Sequence, residues 1–158
     1  MDSKRIAGVI FIIILLFPCN VISFKRYVKD IELPVQVTSE TSPVQSMTVS
    51  SDGKYMVIAS DREGFTDLWK LSADPREVLL PERLTSDPST EKDPAFSSDN
   101  KYLAYTGTGH DVKGDIFLLD LTNKGAGPFR LTGRSTMDGG PCFSPSGNIV
   151  YFQGIADC

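Results

Sequence analysis

Helical patterning is the first thing missing from this sequence. Beyond residue 24 no window repeats its apolar residues at a 3.6-residue period, which argues against a helical bundle and against strands alternating with helices. Histidine is nearly absent: His110 stands alone, so metal centres and catalytic arrangements that need paired histidines lack their ligands. Cysteine is scarce, with Cys19, Cys142 and Cys158 the complete set, and so small a number makes no disulfide framework. A Cys142–Cys158 bridge is chemically open in an oxidising compartment. The preferred reading makes Cys142 a small buried hydrophobe. Excess positive charge is also missing. Sixteen Lys and Arg face twenty Asp and Glu, a net charge of −4, which leaves no basic footprint for nucleic acid.

One long apolar run is present, at the N-terminus. Lys4 and Arg5 precede an apolar stretch from Ile6 to Phe17, closed by Pro18. A basic start and an apolar core of this length form the pattern of a secretory signal, and Val21-Ile22-Ser23 supplies side chains suited to cleavage after Ser23. Two other fates use the same residues. An uncleaved anchor over residues 6–24 would attach the chain to a membrane, and Cys19 would be the acceptor in a lipidated form. All three place the remainder outside the cytoplasm, in the periplasm or the extracellular space.

The body of the chain is a repeat. Val49-Ser50-Ser51-Asp52-Gly53-Lys54-Tyr55 returns as Phe96-Ser97-Ser98-Asp99-Asn100-Lys101-Tyr102, and again as Phe143-Ser144-Pro145-Ser146-Gly147-Asn148. Gly53, Asn100 and Gly147 stand 47 residues apart. Arg83-Leu84-Thr85 returns at the same step as Arg130-Leu131-Thr132, and Asp67-Leu68-Trp69 returns as Asp115-Ile116-Phe117 one residue later. Three markers in phase define a structural unit.

Each unit reads as four strands. Ser-Asp-Gly, Ser-Asp-Asn and Pro-Ser-Gly are turn chemistry, with Gly or Asn at a position that needs positive φ. Short strands precede the turns, as at Pro94 to Ser97. Denser apolar strands follow at Tyr55 to Ala59, Tyr102 to Thr106 and Ile149 to Gln153. Third strands are predicted from Asp67 to Leu71 and from Asp115 to Leu121, and fourth strands around Leu84-Thr85 and from Phe129 to Thr132. Second strands that are nearly continuously apolar fit sheets covered on both faces rather than a two-layer sandwich. The expected fold is therefore all-β: part of a β-propeller with four-stranded antiparallel blades, preceded by the N-terminal signal or apolar segment. The expected organisation is residues 1–23 as signal or anchor, and residues 24–43 as a linker with an outer closing strand at 33–38. Residues 44–158 follow as two complete blades and a partial third.

These motifs resemble those of the TolB-like propeller repeats. Phe143-Ser144-Pro145-Ser146-Gly147 is similar to that family's turn, Asp115-Ile116-Phe117-Leu118-Leu119-Asp120-Leu121 to its third strand, and Arg130-Leu131-Thr132 to the end of its fourth. The resemblance runs from about Val35 to Gln153, with Ser51 and Ser98 in place of the usual Pro, Asn100 for Gly and Ser146 for Asp. It implies structural aspartates at Asp67 and Asp115 that bond turn backbone. It also implies a binding scaffold with a protein or peptide partner. The alternative it allows is a gating propeller ahead of a prolyl-oligopeptidase-like hydrolase domain. The family's N-terminal α/β domain is not expected in this sequence, because the first repeat begins about 20 residues past Ser23. Two and a half blades are also expected to self-associate through uncovered apolar faces.

No catalytic, cofactor-binding or metal residue is expected. His110 in Gly107-Thr108-Gly109-His110-Asp111 reads as a solvated loop residue, and the Gly107-x-Gly109 pair has no helix behind it to make a phosphate loop. Asp61, Glu63 and Asp67 lack the spacing of a calcium loop. Ser97, Ser98 and Ser144 are turn serines without a nucleophile-elbow context, and Trp69 and Phe117 read as blade core.

Overall fold

The computed structural model describes residues 15–16, 22–24, 35–36, 42–77, 80–133 and 136–155. The chain divides into two units, Met1–Thr41 and Ser42–Cys158. In the first, β1 (Leu15–Leu16), β2 (Ile22–Phe24) and β3 (Val35–Gln36) form a small antiparallel sheet in that order. Of the strand expected over 33–38, the described part pairs Gln36 with Ser23 and Val35 with Phe24. The rest of the signal, anchor and Cys19 expectations lies outside the described residues. Among those described, no helix is long and apolar enough to cross a membrane.

The second unit is a series of antiparallel sheets whose neighbours in sequence are neighbours in space. β4 (Val44–Val49), β5 (Tyr55–Ser60), β6 (Asp67–Ser72) and β7 (Glu82–Arg83) make blade 1. β8 (Glu91–Phe96), β9 (Tyr102–Gly107), β10 (Asp115–Asp120) and β11 (Phe129–Arg130) make blade 2, and β12 (Met137–Phe143) and β13 (Val150–Ile155) pair as the described part of a third. The inner and third strands agree with the sequence reading to within a few residues. The fourth strands differ: β7 lies just before Leu84-Thr85 rather than over them, and β11 ends at Arg130 rather than Thr132. Thr85 explains the first ending: the Leu84 N–H still reaches the Leu68 carbonyl at 2.8 Å, but Leu68 N–H is taken by the Thr85 hydroxyl at 2.9 Å, which stops the backbone ladder.

The turns form because their side chains replace backbone partners. Ser50 Oγ donates to Asp52 Oδ1 at 2.7 Å and accepts from Tyr55 N–H at 2.9 Å, and Ser97, Asp99 and Tyr102 repeat both distances. Gly53, Asn100 and Gly147 take φ of +69°, +59° and +76°, the left-handed region that excludes most L-residues. Each inner strand carries a bulge, between Val44 and Ser46 in β4, Lys92 and Ala95 in β8 and Gly139 and Cys142 in β12, which adds local twist.

Burial explains the apolar second strands. Met56, Val57, Ile58 and Ala59 in β5 and Leu103, Ala104 and Tyr105 in β9 are all essentially inaccessible. Alternate residues face opposite sides of a sheet, so a continuous buried run means both sides are covered. Val57, Ala59 and Leu68 of blade 1 pack with Leu103, Tyr105, Phe117 and Leu119 of blade 2 in one core. Each large side chain buried there contributes roughly 1.5–3 kcal/mol, so this blade-to-blade contact, rather than any single sheet, holds the unit together.

Cys142 departs from expectation. It is exposed and free, because strand alternation turns Pro141 inward and Cys142 outward, and it is not a buried hydrophobe. Cys158 lies outside the described residues.

Candidate functional site at the loop end of the blades

Antiparallel connectivity sorts the loops. The β5–β6 and β9–β10 loops emerge at the same end as the β7–β8 crossover between blades, and the short turns emerge at the other. At the loop end the backbone is stitched across blades: Glu91 N–H donates to the Thr66 carbonyl at 2.8 Å, and Asp138 N–H to the Gly114 carbonyl at 3.2 Å.

The repeat markers meet here. Asp67 is fully buried, and its Oδ2 accepts from Arg83 Nη2 at 2.6 Å. Asp115 is equally buried and pairs with Arg130 Nη2 at 2.7 Å. The aspartates were expected to bond turn backbone. Their partners are instead the arginines of the Arg-Leu-Thr segments, because β6 lies beside β7, and β10 beside β11. Thr85 and Thr132 complete the arrangement by accepting the N–H of Leu68 and Ile116 at 2.9 and 3.0 Å. Glu63 also joins Arg83, at 2.5 Å. Two of the three carboxylates weighed as a calcium site therefore face a guanidinium, and Asp61 accepts Gly64 N–H through its carbonyl in a turn.

Next to this lattice lies a cleft of about 210 Å³ bordered by Asp87, Ser89, Glu91, Tyr105, His110 and Phe117. His110 is exposed at its edge but is not simply solvated, since its ring stacks on Phe117 with centroids 6.0 Å apart. Tyr105 stacks on the same Phe117 at 5.5 Å. Gly107 is needed for this packing, because a Cβ there would come within 3.0 Å of the Phe117 ring.

Glu91 is the residue that sequence reading missed. It is 2% exposed, and one oxygen accepts from the Ser89 hydroxyl. Glu91 Oε2 and Asp67 Oδ1 are both buried with no other partner, and the two carboxyls hydrogen-bond each other when Glu91 holds a proton. Burial pushes the Glu91 carboxyl up to about 7, the neighbouring Asp67 pushes the same way, and the Ser89 and Thr85 hydroxyls partly oppose the shift. The Tyr105 hydroxyl is pushed up too, by burial first and then by the Glu91 and Asp87 charges. A signal for Glu91 did exist: Ser89-x-Glu91 returns 47 residues later as Thr136-x-Asp138, whose side chains bond at 2.9 Å, with Asp138 buried.

Ser97, Ser98 and Ser144 belong to the turns at the opposite end, and the structure does not bring them to His110. Trp69 is core, as expected, but its face also receives the Arg62 guanidinium at 4.5 Å and that of Arg83 at 5.6 Å. Among the described residues, no group of three or more His, Cys, Asp or Glu side chains converges as a metal site.

Among solved structures, the chain is similar to TolB from Acinetobacter baumannii, with a TM-score of 0.72 and 22% identity over 87% of this chain. It is similar in the same degree to a TolB-type protein from Agrobacterium tumefaciens, with a TM-score of 0.71 and 23% identity over 86% of this chain. The fold is that of TolB-like propeller blades. The chain spans 33% of the first of those proteins and 47% of the second, less than half the length of either. The same TolB-like blades are also similar, at TM-scores of 0.58 and 0.55 and 15% and 13% identity, to the tricorn protease and to a prolyl endopeptidase. These cover 85% of this chain and 14% and 22% of those proteins. No protein-family model and no curated protein matches the sequence.

Proposed function

We propose that this chain is an exported propeller scaffold that binds a protein partner through the loop end of its blades. The observation that carries this reading is the asymmetry of the two ends. The turn end is closed on itself by repeated Ser-Asp bonds. The loop end holds a cleft, a buried pair of carboxyls at Glu91 and Asp67, and an exposed imidazole, His110, stacked on the buried Phe117 ring. Loops on a rigid scaffold are where binding residues concentrate. Export is supported by the basic start and apolar core of residues 1–23.

Photo-crosslinking in the native cell tests both parts. A crosslinking amino acid at Val112, which is 90% exposed in the β9–β10 loop, is expected to capture one defined protein. The same group at Asn123, in the loop of the opposite end, is expected to leave that protein uncaptured. Equal capture from both positions, or recovery of the chain in the cytoplasmic fraction, would overturn the reading.

The similarity to a prolyl endopeptidase favours one second reading, in which the blades gate a hydrolase. Labelling of the native polypeptide by a fluorophosphonate serine-hydrolase probe would support that reading against the first.

A further inference from the structure

The cleft beside Glu91 has features that define its ligand more narrowly than the blade fold does. Its volume, about 210 Å³, is below the roughly 300–1,000 Å³ of pockets that enclose whole small molecules, and suits one long side chain. Its walls are the aromatic rings of Tyr105, Phe117 and His110. Its polar groups are two carboxyls, Asp87 and Glu91, and the Ser89 hydroxyl, which donates to Glu91. Glu91 is 2% exposed, and its carboxyl hydrogen-bonds that of Asp67 through the proton it holds. A cation entering the cleft would replace that proton as the partner of the buried carboxylate.

The repeat supplies its own precedent for the donor. In blade 1 the third-strand aromatic, Trp69, carries the Arg62 guanidinium on its face, and Arg83 lies over the same ring while paired to Asp67 and Glu63. An arginine held by an aromatic face and carboxylates is thus already built once in this chain. In blade 2 the corresponding aromatic is Phe117, where His110 takes the place of Arg62 on the ring and Arg130 pairs with Asp115, while the carboxyls beside its cleft, Asp87 and Glu91, come from the crossover.

We propose that the Asp87–Glu91–Phe117 cleft is a receptor site for a single cationic side chain, an arginine or lysine presented by a protein partner. The cation sits against the Phe117 and Tyr105 rings and donates to the carboxyls, and His110 forms the outer wall. This rests on the loop-end scaffold reading and gives it a ligand chemistry. Cation–aromatic contact and a desolvated carboxylate reinforce one another, because both strengthen where water is excluded.

The groups facing Glu91 fix a further property. Asp67 approaches from β6, Thr85, Asp87 and Ser89 from the crossover, Tyr105 from β9, and His110 borders the same cleft from the β9–β10 loop. With the cleft empty of cation, Glu91 holds a proton up to about pH 7. A bound cation favours the ionised carboxylate, so binding below that pH releases a proton.

The test uses the full chain and two blocked amino acids, N-acetyl-arginine methylamide and N-acetyl-norleucine methylamide. Backbone amide shifts of Ser89, Gly107 and Gly109 report occupancy. The arginine derivative is expected to move them saturably and the norleucine derivative to leave them in place. Affinity should rise from about pH 6 to about pH 8 with proton release at the lower pH. Glu91→Gln is expected to weaken binding about tenfold and to abolish the proton release. His110→Ala is expected to retain the release, which separates the carboxyl from the imidazole. Equal shifts with norleucine, no shift with arginine, or full affinity in the Glu91→Gln protein would each overturn the assignment. If arginine fails to bind while Val112 still crosslinks to one protein, the site assignment falls and the scaffold stands. If arginine binds while no protein is captured, the site stands and the scaffold reading falls.

Discussion

Arg83 holds the fully buried carboxylate of Asp67 at 2.6 Å, and one repeat later Arg130 holds Asp115 at 2.7 Å. Each pair fastens the outermost strand of a blade to its third strand. The energetics of such a pair are asymmetric. Replacing both partners by apolar groups of similar volume is often neutral, but removing one strands a buried charge at a cost of about 3–5 kcal/mol. Arg83→Met is therefore expected to lower the urea midpoint sharply, and Asp67→Leu combined with Arg83→Met to recover most of the loss. Far-ultraviolet circular dichroism through a urea titration measures both. A double variant as unstable as the single one would show that the pair does more than neutralise Asp67.

Those pairs show where sequence reading succeeds and where it stops. Gly53, Asn100 and Gly147 were legible because a tight turn at positive φ admits few residue types, so local chemistry writes itself into composition. The apolar runs at Met56 to Ala59 and Leu103 to Tyr105 were legible because double-sided burial suppresses alternation. The Asp67–Arg83 pair was not. Both residues stood out as repeat markers, but the neighbour of Asp67 is set by how β7 folds back across β6, and no local pattern records that. Glu91 was hidden for a related reason. A carboxylate opening a strand looks like ordinary surface polarity until the adjacent blade covers it. Cys142 was misjudged in the opposite sense, since its burial depends on what covers that face of β12.

Glu91 gives the chain a defined pH response. Its carboxyl is raised from an ordinary 4.5 to about 7 in the folded protein. Above 4.5 the unfolded chain gives up this proton while the folded chain keeps it, until the pH passes about 7. The stabilising contribution is therefore complete below 4.5 and is lost as pH rises through about 7. Asp52, Asp99 and Asp120 act oppositely: hydrogen bonds from Ser50, Ser97 and Thr122 lower them, so their contribution is lost as pH falls below the usual 3.8. Thermal midpoints are expected to decline from mildly acidic to slightly alkaline pH in the native chain, and Glu91→Gln is expected to flatten that slope. An unchanged slope in the variant would show that another group sets it.

The turn ends of successive blades touch, which gives Asn100 a role beyond its φ. Its Oδ1 accepts from Ser51 N–H at 2.8 Å and from Ser51 Oγ at 3.1 Å, tying the blade 2 turn to the blade 1 turn. Asn100→Gly keeps the left-handed conformation and removes only that tie, for a loss of about 1 kcal/mol. Asn100→Ala loses the tie and adds left-handed strain of about 1–2 kcal/mol. Gly147→Ala adds the strain and also places a Cβ 2.6 Å from Ser98 Oγ. Urea midpoints should fall in the order native, Asn100→Gly, Asn100→Ala. Equal midpoints for the two Asn100 variants would remove the conformational part of the account.

The described edge of the third blade predicts association. β13 pairs with β12 alone among the described residues, and Ile149, Tyr151, Phe152 and Ile155 on and beside it are 45–65% exposed. Ile149 and Phe152 also line an open groove of about 550 Å³ with Leu118, Leu131 and Phe143. An unpaired strand edge exposes backbone donors and acceptors, and an apolar patch beside it adds a hydrophobic driving force, so another strand is a ready partner. The chain is expected to sediment as concentration-dependent oligomers. Phe152→Lys puts a charge in the groove without disturbing the buried core of blades 1 and 2, and is expected to shift the population toward monomer. Sedimentation velocity over a dilution series reads both. A native chain that stays monomeric at every concentration would show that this face is satisfied in some other way, and a Phe152→Lys protein with unchanged oligomers would move the contact elsewhere.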